Sequence, residues 1–315
     1  MGTYLLNGST GFLGSNLLLE LLHAGNRVIA CHRGDPLPSL RDEAESAGDV
    51  LWVPMDVAHE AAWADLPGET YDAIIHNAAI TAPENDTQPK RTAEVNFMST
   101  LYAAEWAIQR KVPRYIFASS SAVYRYTHPT GPMKEDMAID PRFTYGLSKV
   151  ASERFLSVYR ENLGLDCCSV RLPSMYGPWE RPTGSRDNMS QIYHIAEAVA
   201  SGRALTVTGA TVGQDWTYVR DAALGMIHLA EQRGGPEVMN LSIGYFVTLK
   251  EILEALDELV PDHRIRLVED APFDLEMTGT SGNQPMDPTL LKETGFVADT
   301  SIKEGLQAYL DWFKR

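Results

Sequence analysis

The sequence predicts an α/β fold in which a doubly wound parallel sheet is followed by a smaller α/β region. The first observation behind this prediction is that short apolar runs alternate with amphipathic stretches through the first half of the chain. Such alternation implies a parallel sheet with helices on both faces. The second is that the pattern loosens after Arg171, where a segment rich in Pro, Gly and charge leaves the sheet.

The alternation places the elements as follows. The predicted strands are Thr3–Asn7, Arg27–His32, Val50–Pro54, 72–76, 115–119 and 166–172. The predicted helices are 11–24, 88–110, 144–162, 189–201, 220–232, 249–259 and 301–312. We therefore expect one domain at residues 1–172 and a second at 173–315, interleaved in part with the first. The second would cap the carboxyl edge of the sheet, where open α/β sheets bind ligands.

Charge and composition exclude several classes of partner. The net charge of −15 and the pI near 4.9 argue against a nucleic acid or an anionic membrane as partner. The three cysteines lack zinc-site spacing and read as buried structural thiols of a reducing compartment, and we identify no metal ligands. No apolar run approaches the ~18 residues of a membrane span. A strand predicted from Thr3 leaves no room for a signal peptide, so we expect a cytoplasmic protein.

A glycine-rich turn follows the first strand and opens the first helix. Gly8, Gly11 and Gly14 have G-x-x-G-x-x-G spacing. Gly8 permits a tight turn, Gly11 lets a pyrophosphate approach the backbone, and Gly14 allows close packing of helix and strand. The alternative is a glycine-rich turn without a ligand, but the strand–turn–helix context favours a dinucleotide on the helix N-terminus. The intervening residues that we assign to the same site are Thr10, Phe12 and Leu13.

The end of the second predicted strand bears on which dinucleotide binds. NAD-binding sites generally offer an acidic residue to the adenosine ribose, whereas an arginine accommodates the 2′-phosphate of NADP. Here His32 stands at that position and Arg33 follows it. The sequence therefore favours NADP over NAD. Two alternatives stay open: Arg33 is a solvated loop cation, or Asp35 turns back to the ribose.

A possible catalytic group is spread over two segments. Tyr145 and Lys149 are spaced i, i+4 and would lie on one face of a helix. A nearby ammonium favours the phenolate and should lower the pKa of Tyr145. Ser120, at the end of the fifth predicted strand, could hydrogen-bond a substrate carbonyl or carbinol oxygen. Either feature alone is weak, since the serine could merely end a strand.

Together and in this order, the glycine turn, Ser120 and Tyr-x-x-x-Lys resemble the extended short-chain dehydrogenase/reductase family, in its NAD(P)-dependent epimerase/dehydratase group. The resemblance covers essentially the whole chain and implies a Rossmann-type NAD(P)-binding domain with a substrate-binding cap. Other matching segments are "DAIIHNAA" at 72–79, "VNFMST" at 95–100, "VRLPSMYGP" at 170–178 and "NLSIGYFVTLKEILEAL" at 240–256.

The resemblance also implies residue roles. Tyr145 would exchange a proton with the reacting oxygen, Lys149 would hold the nicotinamide ribose, and Ser120 would polarise the oxygen during hydride transfer. Pro173 would lie near the carboxamide. The other residues placed along the cofactor are Asp56, Val57, Asn77, Ala78, Ala79 and the structural asparagine Asn96. Family dimers pair the helices that correspond to 88–110 and 144–162, so the resemblance implies a homodimer.

Departures from the family pattern narrow the function. Ser121 and Ala122 stand where family dehydratases carry an acidic pair, which argues against elimination chemistry. Gln214 and Ser174 replace an arginine and an asparagine typical of nucleotide-sugar enzymes, so contacts to a pyrophosphate-bearing substrate are lost. The residues that we assign to the substrate are Ser121, Tyr124, Ser174, Arg181, Arg186 and Gln214, with Tyr126, His128, Thr183 and Ser185 as neighbours of the same loops.

These features predict an NAD(P)-dependent oxidoreductase that transfers a hydride at a secondary alcohol or ketone of a small polyhydroxylated or acidic substrate. The alternative is a nucleotide-sugar epimerase in which the cofactor is reduced only transiently. A third hypothesis, a non-catalytic NADP-binding regulator, conflicts with the presence of Ser120, Tyr145 and Lys149 together.

Overall fold

Seven parallel strands form the central sheet of the computed structural model, which describes residues 1–81, 87–124, 130–183, 186–279 and 284–315. Tyr126, His128 and Ser185 lie outside the described residues. The strands are β1 (Thr3–Asn7), β2 (Arg27–His32), β3 (Val50–Pro54), β4 (Ala73–His76), β5 (Tyr115–Ala118), β6 (Cys167–Arg171), β7 (Ser174–Tyr176), β8 (Leu205–Thr208), β9 (Gly213–Gln214), β10 (Trp216–Tyr218), β11 (Val238–Asn240), β12 (Val247–Thr248), β13 (Ile265–Leu267) and β14 (Leu275–Glu276).

Helices cover both faces of this sheet. They are α1 (Phe12–His23), α2 (Pro38–Ala47), α3 (Ala61–Ala64), α4 (Pro89–Ala93), α5 (Ser99–Gln109), α6 (Thr144–Leu163), α7 (Gln191–Ser201), α8 (Val219–Glu231), α9 (Leu249–Leu259), α10 (Thr289–Glu293) and α11 (Ile302–Phe313). The predicted α/β class is confirmed, because successive strand residues such as Leu5 and Leu6 enter separate apolar clusters on the two faces of the sheet.

Helices α2, α3 and α10 were not predicted, and one predicted helix is interrupted. The helix expected at 88–110 is interrupted by a π-helical turn, Glu94–Met98, between α4 and α5. A π-turn cannot be read from apolar spacing, since the interruption adds no breaker residue. Helix α2 was not predicted because its only buried side chains are Leu40 and Ala44, which make too narrow an apolar stripe.

The strand order is β11-β6-β5-β4-β1-β2-β3. The chain therefore moves in one direction from β1 to β3 and in the other from β4 to β6, so the order reverses between β1 and β4. Ligands of doubly wound sheets bind at such a reversal, outside the carboxyl ends of the strands. A cleft of about 1060 Å³ opens there, lined by Gly8 after β1, Ser120 after β5 and Pro173 after β6.

The region after residue 172 does not stay outside the sheet. Strand β11 pairs in parallel with β6 at the sheet edge, and α8 packs against α1 on one face. The remaining short strands build the cap: β10 pairs with β7, β12 with β9, and β13 and β14 both with β8. The cap thus shares its core with the sheet layer.

Cys31, Cys167 and Cys168 are free and buried, as expected for structural thiols. Burial raises the pKa of Cys31 and Cys168 to about 12 and that of Cys167 to about 11, so all three are held as unreactive thiols. Among the described helices, none combines the length and the apolar content needed to cross a membrane.

Candidate active site

The glycine-rich turn has the geometry that each of its glycines was expected to provide. Gly8 adopts a left-handed backbone conformation with φ of +69°. A Cβ atom at Gly14 would lie 1.9 Å from the Gly8 carbonyl oxygen, so only glycine lets α1 pack this closely. Gly11 caps α1 without a side-chain hydrogen bond, and the first turn carries no acidic residue. The N–H groups at this helix end are therefore available to an anion.

Asn7, which the sequence analysis missed, ties the glycine turn to the end of β4. Its buried Oδ1 atom accepts hydrogen bonds from the backbone N–H groups of Asn77 and Ala78, both at 2.9 Å. Its Nδ2 atom lies 2.7 Å from Nδ1 of His76. Burial lowers the pKa of His76 to about 3, so the ring is neutral and Nδ1 accepts this bond. The position of Asn7 directly before Gly8 was the available signal.

Asn96 has a different role from the predicted one. Its side chain is fully buried; it accepts from the Ile80 N–H at 2.7 Å and donates to the Ile80 carbonyl at 2.9 Å. It also lies 3.3 Å from Ser148 Oγ, which donates to the Tyr145 carbonyl. Because these bonds use its polar atoms, Asn96 does not line the cleft. It joins the segment after β4 to the first turn of α6, and its assignment as a direct cofactor contact is corrected.

Ser120, Tyr145 and Lys149 meet at the cleft wall. The Ser120 side chain acts on the Tyr145 hydroxyl and favours ionisation of the phenol. Lys149 Nζ lies 5.5 Å from the centroid of the Tyr145 ring and donates a 2.7 Å hydrogen bond to the Ala118 carbonyl. Two local features bring these three side chains together. Tyr145 and Lys149 are one helical turn apart on α6, and Ser120 follows the end of β5.

The electrostatics of this group correct one expectation. Burial raises the pKa of Tyr145, against the opposing effects of the Ser120 hydrogen bond and the Arg186 charge. Burial also lowers the pKa of Lys149, to about 7, against the opposing charge of Glu153. The expected lowering of the phenol pKa by Lys149 is therefore not found, because the burial of Tyr145 outweighs the effects of Ser120 and Arg186 that lower its pKa.

A buried ion pair lies behind the catalytic group. Glu153, one turn after Lys149 on α6, accepts from Arg171 Nε at 3.0 Å and from Arg171 Nη2 at 2.7 Å. Both side chains are only 4% exposed. Glu153 also accepts from Ser119 Oγ at 2.5 Å, next to Ser120 in the chain. This pair was not predicted, although the i+4 spacing of Glu153 from Lys149 pointed to the same face of α6.

Tyr124 belongs to this buried network and not to the substrate pocket. Its hydroxyl accepts from Arg171 Nη1 at 2.7 Å and donates to Asn240 Oδ1 at 2.8 Å. Its side chain is fully buried and does not line the cleft. The prediction that Tyr124 binds substrate is wrong, because the Arg171 guanidinium and the β11 amide hold its hydroxyl inside the protein.

The adenine end of the cleft lies beside β2 and β3. His32 is 5% exposed, and its Nδ1 atom lies 2.9 Å from the Gly34 carbonyl, to which it donates. Arg33 and Asp35 also line this end.

Asp56 pairs with Arg91 at 2.6 Å. Despite the opposing effect of partial burial, the Ala58 N–H and Arg91 hold the pKa of Asp56 below its usual range. The other predicted cofactor residues that line the cleft are Thr10, Gly11, Phe12, Leu13, Val57, Asn77, Ala78, Ala79 and Pro173.

The substrate end contains a neutral hydrogen-bonded bridge. Ser174 Oγ donates to Gln214 Oε1 at 2.9 Å, and Gln214 Nε2 donates to the Thr278 carbonyl at 2.5 Å. Both polar ends of the Gln214 amide are therefore engaged within the protein. Ser121, Arg181 and Arg186 line the same cleft. Lining residues that the sequence analysis missed are Gln191, His194, Glu276 and Thr278.

No group of three or more His, Cys, Asp or Glu side chains suited to a metal ion occurs in the described parts of the chain.

Comparisons with known proteins agree with this geometry. The profile of the NAD dependent epimerase/dehydratase family matches residues 4–242. UDP-glucose 4-epimerase of Mycolicibacterium smegmatis is 28% identical, and the alignment covers 98% of each chain. The crystal structure of UDP-glucose 4-epimerase from Thermotoga maritima, with UDP-glucose, superimposes with a TM-score of 0.84 at 23% identity, over 99% of this chain and 98% of that one. MoeE5 in complex with UDP-glucose and NAD superimposes with a TM-score of 0.77 at 26% identity, over 99% of both chains.

Proposed function

Because the chain belongs to the NAD dependent epimerase/dehydratase family, we propose that it transfers a hydride between a nicotinamide dinucleotide and a secondary alcohol or ketone of a sugar-like substrate. The observation that carries this proposal is that Ser120, Tyr145 and Lys149 line the same cleft, with Lys149 Nζ 5.5 Å from the centroid of the tyrosine ring. The glycine turn fits a dinucleotide, because the N-terminus of α1 has no side-chain cap. Gly14, where a side chain would clash with the Gly8 carbonyl, lets α1 pack close to the turn.

In the proposed mechanism the protein supplies position and one proton route. Ser120 and Tyr145 together hydrogen-bond the reacting oxygen, and Tyr145 takes or returns its proton. Lys149, one turn later on α6, holds the ribose and lends positive charge to the phenolate that forms. A bound nicotinamide supplies or accepts the hydride. Ser121 and Ala122 provide no acid or base beside Ser120, so we do not propose elimination.

The leading substrate class is a small polyhydroxylated or acidic molecule, and the second candidate is a nucleotide sugar. The neutral Ser174–Gln214–Thr278 bridge supports the first, because it offers no cation to a diphosphate. The activities that the names of the relatives print, UDP-glucose 4-epimerases among them, support the second. Both candidates use the same catalytic residues and differ only in whether the cofactor changes over a full turnover.

A spectrophotometric screen distinguishes the two candidates. The purified protein is incubated with NAD or NADP and with sugars, sugar acids or nucleotide sugars, while nicotinamide absorbance and products are followed. Net reduction with a small sugar or sugar acid supports the dehydrogenase. Conversion of a nucleotide sugar without net change in absorbance refutes it and supports the epimerase.

We also propose that NADP is preferred over NAD. The support is the end of β2, where the imidazole of His32 and the exposed Arg33 line the cleft in place of an acidic residue. Replacing Arg33 by alanine is expected to raise the Kd of NADPH about tenfold, because a charge-assisted bond to the 2′-phosphate is lost. The Kd of NADH, which lacks that phosphate, should stay within about twofold, as fluorescence titration would show.

Arg266→Ala, at an exposed arginine of β13, is the matched control for Arg33→Ala. Equal weakening of both cofactors in Arg33→Ala would contradict the NADP preference. It would also make Asp35, which lines the same end of the cleft, the residue to examine for ribose binding.

A homodimer through α6 is proposed as well. Leu147, Phe155 and Val158 lie on one face of α6 and are 46–52% exposed, and Phe97 packs edge-on against Phe155 at 5.2 Å. An apolar face of this kind favours burial against a second copy. The double change Leu147→Glu and Phe155→Glu is expected to reduce the mass measured by light scattering from twice the chain mass to the 34.9 kDa of one chain. Leu267→Glu, at an exposed leucine of β13, should leave the mass unchanged.

The reduced, buried cysteines support a cytoplasmic setting, which we propose as the location of the enzyme.

A further inference from the structure

Two arginines after β7, Arg181 and Arg186, line the cleft, and among the described residues only Arg186 forms an ion pair. Arg186 Nη2 donates to Glu180 Oε1 at 2.7 Å. Glu180 is fully buried and also accepts from the Ser190 N–H at 2.7 Å, from Ser190 Oγ at 2.8 Å and from the Tyr309 hydroxyl at 3.2 Å. The Arg186 charge is thus balanced by a carboxylate that joins this segment to α7 and α11. Arg186 is also placed over the ring of Phe12, 5.1 Å from its centroid.

Arg181 has no such balance. Within the described ranges, no acidic side chain forms an ion pair with it, and its Nη2 atom donates to the Thr10 carbonyl at 2.8 Å. Its Nε atom, like that of Arg186, is buried and has no hydrogen-bond partner in the described part of the chain. Burial lowers the pKa of Arg181. A half-buried guanidinium with a buried, unused Nε donor is costly unless an anion binds it.

The backbone holds Arg181 in place before any ligand arrives. The two residues before it, Trp179 and Glu180, are 5% and 0% exposed. Trp179 has a φ of +69°, a left-handed conformation that a bulky residue adopts only where packing enforces it. The Trp179 ring packs against Trp312 of α11, with centroids 5.8 Å apart. Arg181 therefore extends from a fixed point, so little conformational entropy is lost when it binds an anion.

The hydrogen bond to the Thr10 carbonyl places the Arg181 guanidinium beside the glycine turn, and this position indicates which anion it binds. Thr10 stands between Gly8 and Gly11, in the turn that leads into the uncapped N-terminus of α1. That terminus attracts phosphate through its N–H groups and its dipole, and a guanidinium on the other side completes a phosphate site. We propose that Arg181 binds the pyrophosphate of the dinucleotide cofactor and does not bind the substrate. This proposal rests on the dinucleotide binding proposed above, and it revises the prediction that Arg181 contacts the substrate.

The test uses ADP-ribose, which carries the pyrophosphate without the nicotinamide, in calorimetric titrations of the full chain. Arg181→Gln is expected to raise the Kd of ADP-ribose about 10- to 100-fold, as for loss of a charged hydrogen-bonded contact. Arg181→Lys keeps the charge without the planar fork, and its Kd should fall between those of wild type and Arg181→Gln. Arg203→Gln, at an exposed arginine of the cap that pairs with Glu197, is the control and should match wild type.

The outcomes separate this proposal from the one on which it rests. A wild-type protein that binds neither ADP-ribose nor a nicotinamide dinucleotide would refute dinucleotide binding itself. Wild-type binding with unchanged affinity in both Arg181 variants would overturn the role of Arg181 alone. If those variants instead raised only the KM of the substrate found in the screen, at saturating cofactor, the anion held by Arg181 would be on the substrate. Thermal unfolding of each variant shows whether a loss of binding comes from a loss of folding.

Discussion

Replacing Tyr145 by phenylalanine is expected to lower kcat about 10²- to 10⁴-fold, the usual contribution of a positioned general acid or base. The change removes only the phenol hydroxyl, and the ring beside Lys149 stays. Cofactor binding should therefore stay within about threefold of wild type, because Lys149 and the glycine turn are untouched. Steady-state kinetics on the substrate found in the screen, with a fluorescence titration of the cofactor, measure both effects.

Tyr245→Phe is the matched control for Tyr145→Phe, since Tyr245 is 51% exposed and does not line the cleft. A kcat close to wild type in Tyr145→Phe would show that another group moves the proton. If a biological activity of the protein survived the same change intact, the regulator hypothesis would gain at the expense of both enzyme hypotheses.

Replacing Glu153 by glutamine is expected to lower the free energy of unfolding by about 3 to 5 kcal/mol, because the change leaves the Arg171 guanidinium buried and unpaired. Both side chains are 4% exposed, so water cannot replace the lost partner. Urea denaturation should show the loss as a lower midpoint with an unchanged slope. In the double variant with Arg171→Met, the loss should be smaller than the sum of the two single losses. Additive losses would mean that the pair is not coupled.

The same change is expected to alter the pH dependence of the reaction. The Glu153 carboxylate opposes the burial that lowers the pKa of Lys149 to about 7. Without that charge the pKa of Lys149 falls further, so Lys149 loses its proton at a lower pH. The decline of kcat on the alkaline side should then begin at a lower pH in Glu153→Gln. Glu161→Gln, at an exposed position of α6, is the control and should keep the wild-type profile.

The parts that the sequence predicted well are those encoded by local spacing. The glycine turn lies within seven residues, and Tyr145 and Lys149 lie one helical turn apart, so their geometry follows once the strand and the helix are recognised. Strand bounds were predicted closely for the same reason. Local spacing also explains why Ser120 was found, because it lies two residues after the apolar run Tyr115–Ala118.

The parts that failed depend on partners distant in the chain. Tyr124 is removed from the cleft by Arg171 and Asn240, which lie 47 and 116 residues further on. The pKa of Tyr145 depends on how completely the fold excludes water, which the spacing to Lys149 does not encode. Arg181 and Arg186 look equivalent in the sequence, and only the folded position of Glu180 separates them.

The return of β11 to the sheet edge beside β6 restricts how this protein can be recombined. A fragment that ended at residue 172 would lose the strand that covers β6 and the helix α8 that covers α1. It would therefore present an open strand edge and an uncovered apolar face, both of which promote aggregation. A chimaera that takes everything after residue 172 from another protein would replace β11 and α8 and so break their contacts with β6 and α1. A chimaera would have to keep residues 219–240 with the recipient sheet and graft only the segments on either side of them.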